Sequence, residues 1–421
     1  MLSLKTITPR PALAFAGFVF WLAAFPMAGP LLHGRGDLLC FLLPHTLVLL
    51  LLAGLTRSGA LRALTASGVL ATAGLTWAFP WFADSAEWLL PLLGVVSAPL
   101  SLRVVVSLKA APSPLAAALF GLVVGNVLVA AVEVLPVGDG MSFGLVGLVL
   151  LTSLLFPIPR DAARGDAAGV LFYLPFVFVF QLVSGLMYGF LFPAYGEQAL
   201  FPGSELLFYM GGATAAAALI RSHSDLTLAA GVTLAMVAFA LLVFGGGAVS
   251  INLSMYAMMT AAGVIDLFLL GYVLSFDNAV RAYGLGGGVL CAGILAGHLL
   301  SAQVGEAGAD IGLVGSLVLN LAVLTLFVLG QRRQKQALAE PSCPEPGEGN
   351  EPLLPRPLAA RLSEQERLVL QKVLAEKTYK EVARDLQISE SSVKTYMRRI
   401  CQKSGASSKR QLMDRLSTGQ R

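Results

Sequence analysis

Charged side chains are scarce in this 421-residue sequence: Asp, Glu, Lys and Arg make up 13% of it, and hydrophobic residues make up 56%. Soluble domains carry about 25% charged residues. A chain with so little charge does not cover itself with a water-compatible surface, so this composition excludes a wholly soluble protein and predicts a membrane protein.

Cysteine and histidine are also rare. The four cysteines, Cys40, Cys291, Cys343 and Cys401, form no C-x-x-C pair, and no histidine cluster accompanies them. This spacing argues against a disulfide framework and against a zinc site. No nucleotide-binding loop and no nucleophile arrangement is recognisable either, so we expect no catalytic residue, no metal, no cofactor and no enzyme.

The few charges are unevenly distributed. Residues 1–335 hold 14 basic and 14 acidic residues, whereas residues 336–421 hold 15 and 11. This asymmetry predicts an apolar body and a basic, soluble C-terminal part. Lys5 and Arg10 precede the first apolar run, which no clear cleavage site follows, so we interpret that run as a first span rather than a signal peptide.

A membrane-spanning helix needs about 20 apolar residues. On this criterion the sequence predicts an all-α body with twelve spans. The apolar run from 226 to 275 is too long for one helix, and we divide it at Gly245–Gly247. The predicted spans are 11–32, 38–56, 63–83, 88–107, 113–135, 142–158, 167–193, 203–220, 226–246, 249–275, 284–303 and 311–330.

The loop charges predict the orientation, because cytoplasmic loops accumulate Lys and Arg. With the N-terminus inside, only Arg35 lies in an outside loop. The other thirteen basic residues of the body fall inside, which also places the C-terminus in the cytoplasm: Lys5, Arg10, Arg57, Arg62, Arg103, Lys109, Arg160, Arg164, Arg221, Arg281, Arg332, Arg333 and Lys335.

The spans divide six and six around residues 160–166, and the loop after span 2 contains Arg57, Gly59 and Arg62. This layout resembles the major facilitator superfamily. The resemblance implies two six-helix halves around a central cavity, with helices 2 and 11 facing each other. Thr56 stands where that family has an acidic residue, which argues against active transport more than against the fold.

Charged residues inside a membrane are costly and mark candidate functional sites. Asp266 lies mid-span and is a candidate ligand or proton site; the alternative is a structural hydrogen bond. Glu133, near the outer end of span 5, is a second candidate. His45 and His298 are expected at similar depth in spans 2 and 11, where they either sense outside pH and line the cavity entrance or simply pack.

Residues 336–358 form a proline-rich linker, with prolines at 341, 344, 346, 352, 355 and 357. Such a segment cannot bury a core, so we expect it to be disordered or partly extended. As a flexible chain it spans about 25–30 Å. The linker therefore predicts that the following domain, 359–421, stays close to the membrane.

Capping boxes open two helices of this domain, at Ser363 with Glu366 and at Thr378 with Glu381. A turn at 387–389 leads to a third helix, and a fourth begins near Ser407. On the third helix, helical periodicity places three apolar residues on one face and three polar ones on the opposite face. The apolar residues are Val393, Met397 and Ile400; the polar ones are Lys394, Thr395 and Arg398.

This stretch resembles the LuxR family DNA-binding domain, a helix-turn-helix. The matching residues include Leu362–Ser363, Lys380–Ala383, Leu386–Ser389, Ser392–Lys394 and Gly405. The resemblance implies base contacts from Lys394, Thr395 and Arg398. It implies phosphate contacts from Lys380, Arg399, Lys403 and Lys409, and a homodimer face with Leu412 and Leu416. The net charge of +7 over residues 357–421 favours DNA.

These two parts predict a one-component transcription regulator in a bacterial inner membrane, which senses an unknown small molecule or membrane signal. The first alternative is an active transporter with an attached regulatory domain. A second is a constant anchor of DNA to the lipid bilayer, and a third is a helical domain that binds protein instead of DNA.

Overall fold

The computed structural model describes residues 9–330 and 362–412, except residues 28, 33, 55–57, 135–137, 157, 160–161, 221–223, 305–314, 316, 323–324, 326–327, 329, 376, 387–389, 405 and 407–410. The chain divides into two compact units, Met1–Gln334 and Lys335–Arg421. All regular structure in the described residues is helical. The predicted linker lies outside them, so the predicted domain boundaries stay predictions.

The helices of the first unit coincide with the predicted spans. The first half contains α1 Pro9–Ala24, α2 Leu38–Leu52, α3 Ser58–Ala78, α4 Ala86–Ser107, α5 Pro114–Val134 and α6 Asp139–Leu151. The second half contains α7 Leu174–Gln198, α8 Glu205–Leu219, α9 Ser224–Phe244, α10 Gly247–Ser275 and α11 Ala279–Val304.

Several of these helices have the length and composition of membrane spans. Within the described ranges they are α4, α5, α9, α10 and α11, and α7 joins them if its two segments, which meet at 45°, are one span. Helices α1, α2, α6 and α8 are apolar but shorter. Of the predicted twelfth span only parts are described, in which Leu319 and Ala322 are helical and buried against the second half. The count of twelve spans stays a prediction.

Some helix ends differ from the prediction. Helix α1 ends at Ala24 rather than at residue 32, and a turn follows. Helix α7 begins at Leu174 rather than at 167, because Ala168–Phe172 forms a 3₁₀ helix and Pro175 suits a first helical turn, where its missing N–H is not needed. The break between α9 and α10 lies at the predicted glycines, and Gly247 adopts a φ of 74°.

Contacts between helices form two halves. In the first half α1 packs on α5, α2 on α4, and α3 on α4 and α6; in the second, α7 packs on α11, and α10 on α8 and α9. Helices α2 and α11 pack across the halves, as the resemblance implied, and α5 packs on α8 and α10. Small residues permit this closeness: a Cβ on Gly297 of α11 would lie 1.9 Å from the Leu182 carbonyl oxygen of α7.

The loops α2–α3, α4–α5, α6–α7 and α10–α11 meet at one end of this unit, which we call the basic end. There the Lys109 ammonium donates to the carbonyl oxygens of Phe276 and, at 3.0 Å, Asp277. The Asn278 amide donates to the Ala163 carbonyl oxygen at 3.3 Å. These contacts between loops hold the two halves together. The charge distribution predicts that the same loops lie on one side of the membrane.

The second unit contains α12 Glu364–Leu374, α13 Tyr379–Asp385 and α14 Glu390–Ser404. Both predicted capping boxes are present. The helices surround a separate hydrophobic core, to which each contributes fully buried side chains: Leu362, Val369, Leu370, Val373, Val382, Val393, Ile400 and Leu412 among them. Of the predicted fourth helix, Gln411 and Leu412 are described, and they are helical.

Candidate nucleic-acid interface and intramembrane site

Helix α14 has one buried and one exposed face. Val393, Met397 and Ile400 pack in the core of the second unit, where each is at most 3% exposed. Lys394, Thr395 and Arg398 are exposed on the opposite face, as the periodicity predicts. A helix fixed on one side by its core and exposing cationic and hydrogen-bonding groups on the other is suited to the major groove of DNA.

Lys394 also contacts an acidic residue of its own helix. Its ammonium lies 2.8 Å from a carboxylate oxygen of Glu390, one turn earlier, and the two side chains are 62% and 47% exposed. The hydrogen bond from Lys394 lowers the pKa of Glu390 below its ordinary value. Exposed pairs of this kind contribute little free energy, so the pair does not prevent Lys394 from turning to a base edge.

The predicted phosphate contacts have different surroundings. Lys380, at the start of α13, and Arg399, on α14, are exposed. The ammonium of Lys403 instead lies 2.6 Å from the carboxylate of Glu366, which is 3% exposed. Lys409 lies outside the described residues. The DNA contacts of all four residues stay predictions.

Glu366 is a structural residue that the sequence reasoning recognised only as part of a cap. Its carboxylate accepts from the Ser363 backbone N–H at 2.8 Å and from Lys403 at 2.6 Å. Burial alone would raise the pKa of Glu366, but the bonds from Lys403 and Ser363 outweigh it and lower the pKa below 4.5. This carboxylate therefore ties the end of α14 to the start of α12.

The predicted dimer face is only partly described. Leu412 is fully buried in the core of its own domain, so it offers no surface to a second chain in this conformation. Leu416 lies outside the described residues. A homodimer face in the last helix stays a prediction, and it needs side chains other than Leu412.

The membrane unit brings Asp266 of α10 together with two hydrogen-bond donors. The Tyr209 hydroxyl of α8 donates to one carboxylate oxygen at 2.8 Å, and the Gln181 amide of α7 lies 3.4 Å from the other. Gly263 makes the first contact possible, because a Cβ there would lie 2.1 Å from the Tyr209 carbonyl oxygen. Sequence reasoning missed Tyr209.

Asp266 points into the bundle. Its neighbours Ile265 and Leu267 are fully buried, but Asp266 itself is only half-buried. Its carboxylate contacts α7 and α8. Both predicted roles, structural hydrogen bonding and ligand or proton binding, remain compatible with this arrangement.

His45 and His298 have different surroundings. His45 is 4% exposed, stacks on Phe41, and its Nδ1 lies 2.9 Å from the Ser97 hydroxyl of α4. The His298 ring lies 3.9 Å from the carboxylate of Asp37, the residue that caps the start of α2. Eight residues of helix, about 12 Å, separate Asp37 from His45.

The remaining residues considered from the sequence are Glu133 and the cysteines. Glu133 belongs to α5, but its side chain lies outside the described residues. Within the described part of the chain, no three His, Cys, Asp or Glu side chains are arranged to hold a metal. Cys40, Cys291 and Cys401 are free thiols, and Cys343 lies outside the described residues.

Residues 360–416 match the family described as "Bacterial regulatory proteins, luxR family". The match spans the whole described part of the second unit, which confirms a LuxR-type helix-turn-helix domain. A comparison with curated proteins finds no match.

Solved structures resemble the first unit. The human organic anion transporter MFSD10 (TETRAN) matches with a TM-score of 0.58 and 17% identity, over 76% of this chain and 99% of that chain. The E. coli fucose:proton symporter FucP, as a variant, matches with a TM-score of 0.51 and 13% identity, over 77% of this chain and 98% of that chain. At these identities the likeness shows the fold alone: the first unit has the fold of these two transporters, as the resemblance implied.

Proposed function

We propose that this protein is a membrane-bound, one-component transcription regulator. The observation that carries the proposal is the exposed face of α14, with Lys394, Thr395 and Arg398 opposite the domain core, in a chain whose other unit has a membrane transporter fold. Neither kind of domain is an enzyme. The loop charges favour a bacterial inner membrane with both termini in the cytoplasm, where the second unit meets DNA.

The membrane unit is the proposed sensor. No receiver domain is recognisable in the sequence, so a phosphorelay has no visible point of entry. A small molecule that binds one conformation of the bundle more tightly than another shifts the population toward that conformation. The Asp266 site supports this role, since a half-buried carboxylate lies there in contact with α7 and α8. We propose that the shift changes DNA binding or homodimerisation of the tethered domain.

Genome-wide DNA occupancy of the full-length protein in its host tests the regulator proposal. The comparison is with a Lys394→Ala/Arg398→Ala variant, and Lys372→Ala serves as a matched control because Lys372 pairs with Asp385 outside α14. We expect discrete peaks that the double variant loses and the control keeps. If the peaks of the double variant equal those of the wild type, α14 does not read DNA.

An active transporter with a regulatory domain is the second candidate, because both solved relatives described above are transporters by name. Proteoliposomes containing the full chain would then accumulate solute against a gradient. Fucose, an organic anion and an alkylamine are suitable first solutes. Uptake that Asp266→Asn abolishes would favour transport, whereas binding without uptake favours the sensor.

A further inference from the structure

The carboxylate of Asp266 has polar partners but no cationic one. Among the ion pairs of the described residues, none includes Asp266. A carboxylate has about four acceptor positions, and here Tyr209 and Gln181 occupy two. Acceptor capacity therefore remains on the carboxylate of a residue that is only half-buried.

The cationic side chains of the adjacent helix α11 are remote. The Cys291 thiol of that helix lies within electrostatic range of Asp266. Along α11, Arg281 is ten residues before Cys291 and His298 seven after it, which are about 15 Å and 10 Å of helix. No cation of α11 therefore neutralises Asp266 from within the bundle.

Apolar side chains that lie between the halves precede Asp266 on α10. Met259 and Ala262 precede it by seven and four residues, on the same face of α10. Both are half-buried, and both pack against the core that includes the first half and against the core of the second half. An anionic group thus lies next to an apolar stripe between the halves.

We propose that this site binds an organic cation, namely a protonated amine with an apolar body. A carboxylate inside a membrane is costly unless a positive charge is near it, and an ammonium group on the ligand supplies that charge. The apolar part of the ligand lies along Met259 and Ala262. This inference rests on the proposed function, since it names the class of molecule that the sensor detects.

Thermal unfolding of the full-length protein in detergent tests the ligand class. The probes are primary amines of four to ten heavy atoms and carboxylates matched to them in size. We expect at least one amine to raise the unfolding temperature of the wild type by several degrees, and the same amine to bind Asp266→Asn at least tenfold more weakly. Asp277→Asn is a matched control outside the site and keeps wild-type binding.

Three results would overturn the ligand class. They are stabilisation by the carboxylates, equal stabilisation of Asp266→Asn by the amines, and absence of stabilisation by every amine of the panel. DNA occupancy separates this failure from failure of the proposed function. If amines bind through Asp266 but leave DNA occupancy unchanged, the ligand class is correct and the sensing proposal fails. If no amine binds but DNA occupancy responds to another signal, the sensing proposal is correct and the ligand class fails.

Discussion

The ammonium of Lys403, near the end of α14, lies 2.6 Å from the buried carboxylate of Glu366, near the start of α12. The two residues are 37 positions apart in the chain. A residue expected to contact phosphate therefore also holds the recognition helix in place. Any DNA contact of Lys403 has to be shared with this pair.

Lys403→Met should destabilise the second unit by about 1 kcal/mol, because Glu366 loses a charged hydrogen-bond donor. The loss is no larger because the Lys403 ammonium is half-exposed in the wild type, where solvent weakens the ion pair. Lys372→Met, which leaves Asp385 paired with Lys377, should cost less. Urea unfolding of residues 359–421, which have their own hydrophobic core, measures both. Equal losses in the two variants would contradict a structural role of Lys403.

The same contact predicts a pH dependence. The pKa of Glu366 is lower in the folded domain than its ordinary value of 4.5, so its contribution is present above about 4.5 and is lost as the pH falls through the folded-state pKa. The free energy of unfolding of the wild type should therefore fall more steeply with acidification below 4.5 than that of Glu366→Gln. Parallel pH profiles of the two proteins would exclude this effect.

Two classes of DNA contact should be separable. Lys394→Ala and Arg398→Ala should each cost about 1–3 kcal/mol of binding and relax sequence preference, since they are predicted base contacts. Arg399→Ala should weaken binding to all sequences alike and reduce the slope of log K against log salt by about 1. Fluorescence anisotropy on the operator and on unrelated DNA at several salt concentrations measures these changes. If only Arg399→Ala changed the sequence preference, Arg399 rather than Lys394 and Arg398 would be the base contact.

Arg103 of α4 holds the end of α6 near the basic end. Its guanidinium is buried and donates to the carbonyl oxygens of Ser153 and Phe156, both at 3.0 Å. Arg103→Met removes a charged donor from both carbonyl oxygens and leaves Ser153 only its bond from the Phe156 N–H, at about 1–3 kcal/mol. Arg103→Lys should not restore both bonds, because lysine lacks the planar fork. Thermal unfolding in detergent measures the loss of stability in both variants. Arg62→Met, at an exposed arginine, is the control. Wild-type stability in Arg103→Lys would show that charge alone suffices.

Three tryptophans indicate where the membrane interface lies on the first unit, at the end opposite the basic end. Trp77, Trp81 and Trp88, around the α3–α4 connection, are 60%, 66% and 76% exposed, whereas Trp21 is fully buried. Exposed tryptophans favour the membrane interface. Lipids brominated near the headgroup should therefore quench the fluorescence of the wild type in vesicles. The variant with all three tryptophans replaced by Phe should lose most of this quenching. If the variant is quenched as strongly as the wild type, the three tryptophans lie outside the interface.

The second unit was predictable because its signals are local. Capping boxes, a turn and an apolar face at helical spacing each occupy fewer than about ten residues, and they fix α12, α13 and the two faces of α14. The order of the membrane helices was predictable from apolar runs for the same reason. Local composition did not determine where α1 ends or α7 begins, because turns and 3₁₀ segments there are as apolar as the helices.

Side-chain partners across helices were not predictable. Tyr209 meets Asp266 over a separation of 57 residues, and the contact depends on the closeness that Gly263 permits between α8 and α10. The partners of the two histidines were not predictable for a related reason. Depth in the membrane does not determine which helix a ring faces: His45 turns to Ser97 of α4, while His298 lies beside Asp37 at the start of α2.

The central claim is that the membrane unit controls the DNA-binding unit. The most direct test compares genome-wide DNA occupancy of the full-length wild type with that of Asp266→Asn at equal protein levels, with and without an amine that binds the purified protein. We predict that the amine changes occupancy at shared sites in the wild type and has no effect in Asp266→Asn. Identical occupancy in both proteins under both conditions would contradict the account.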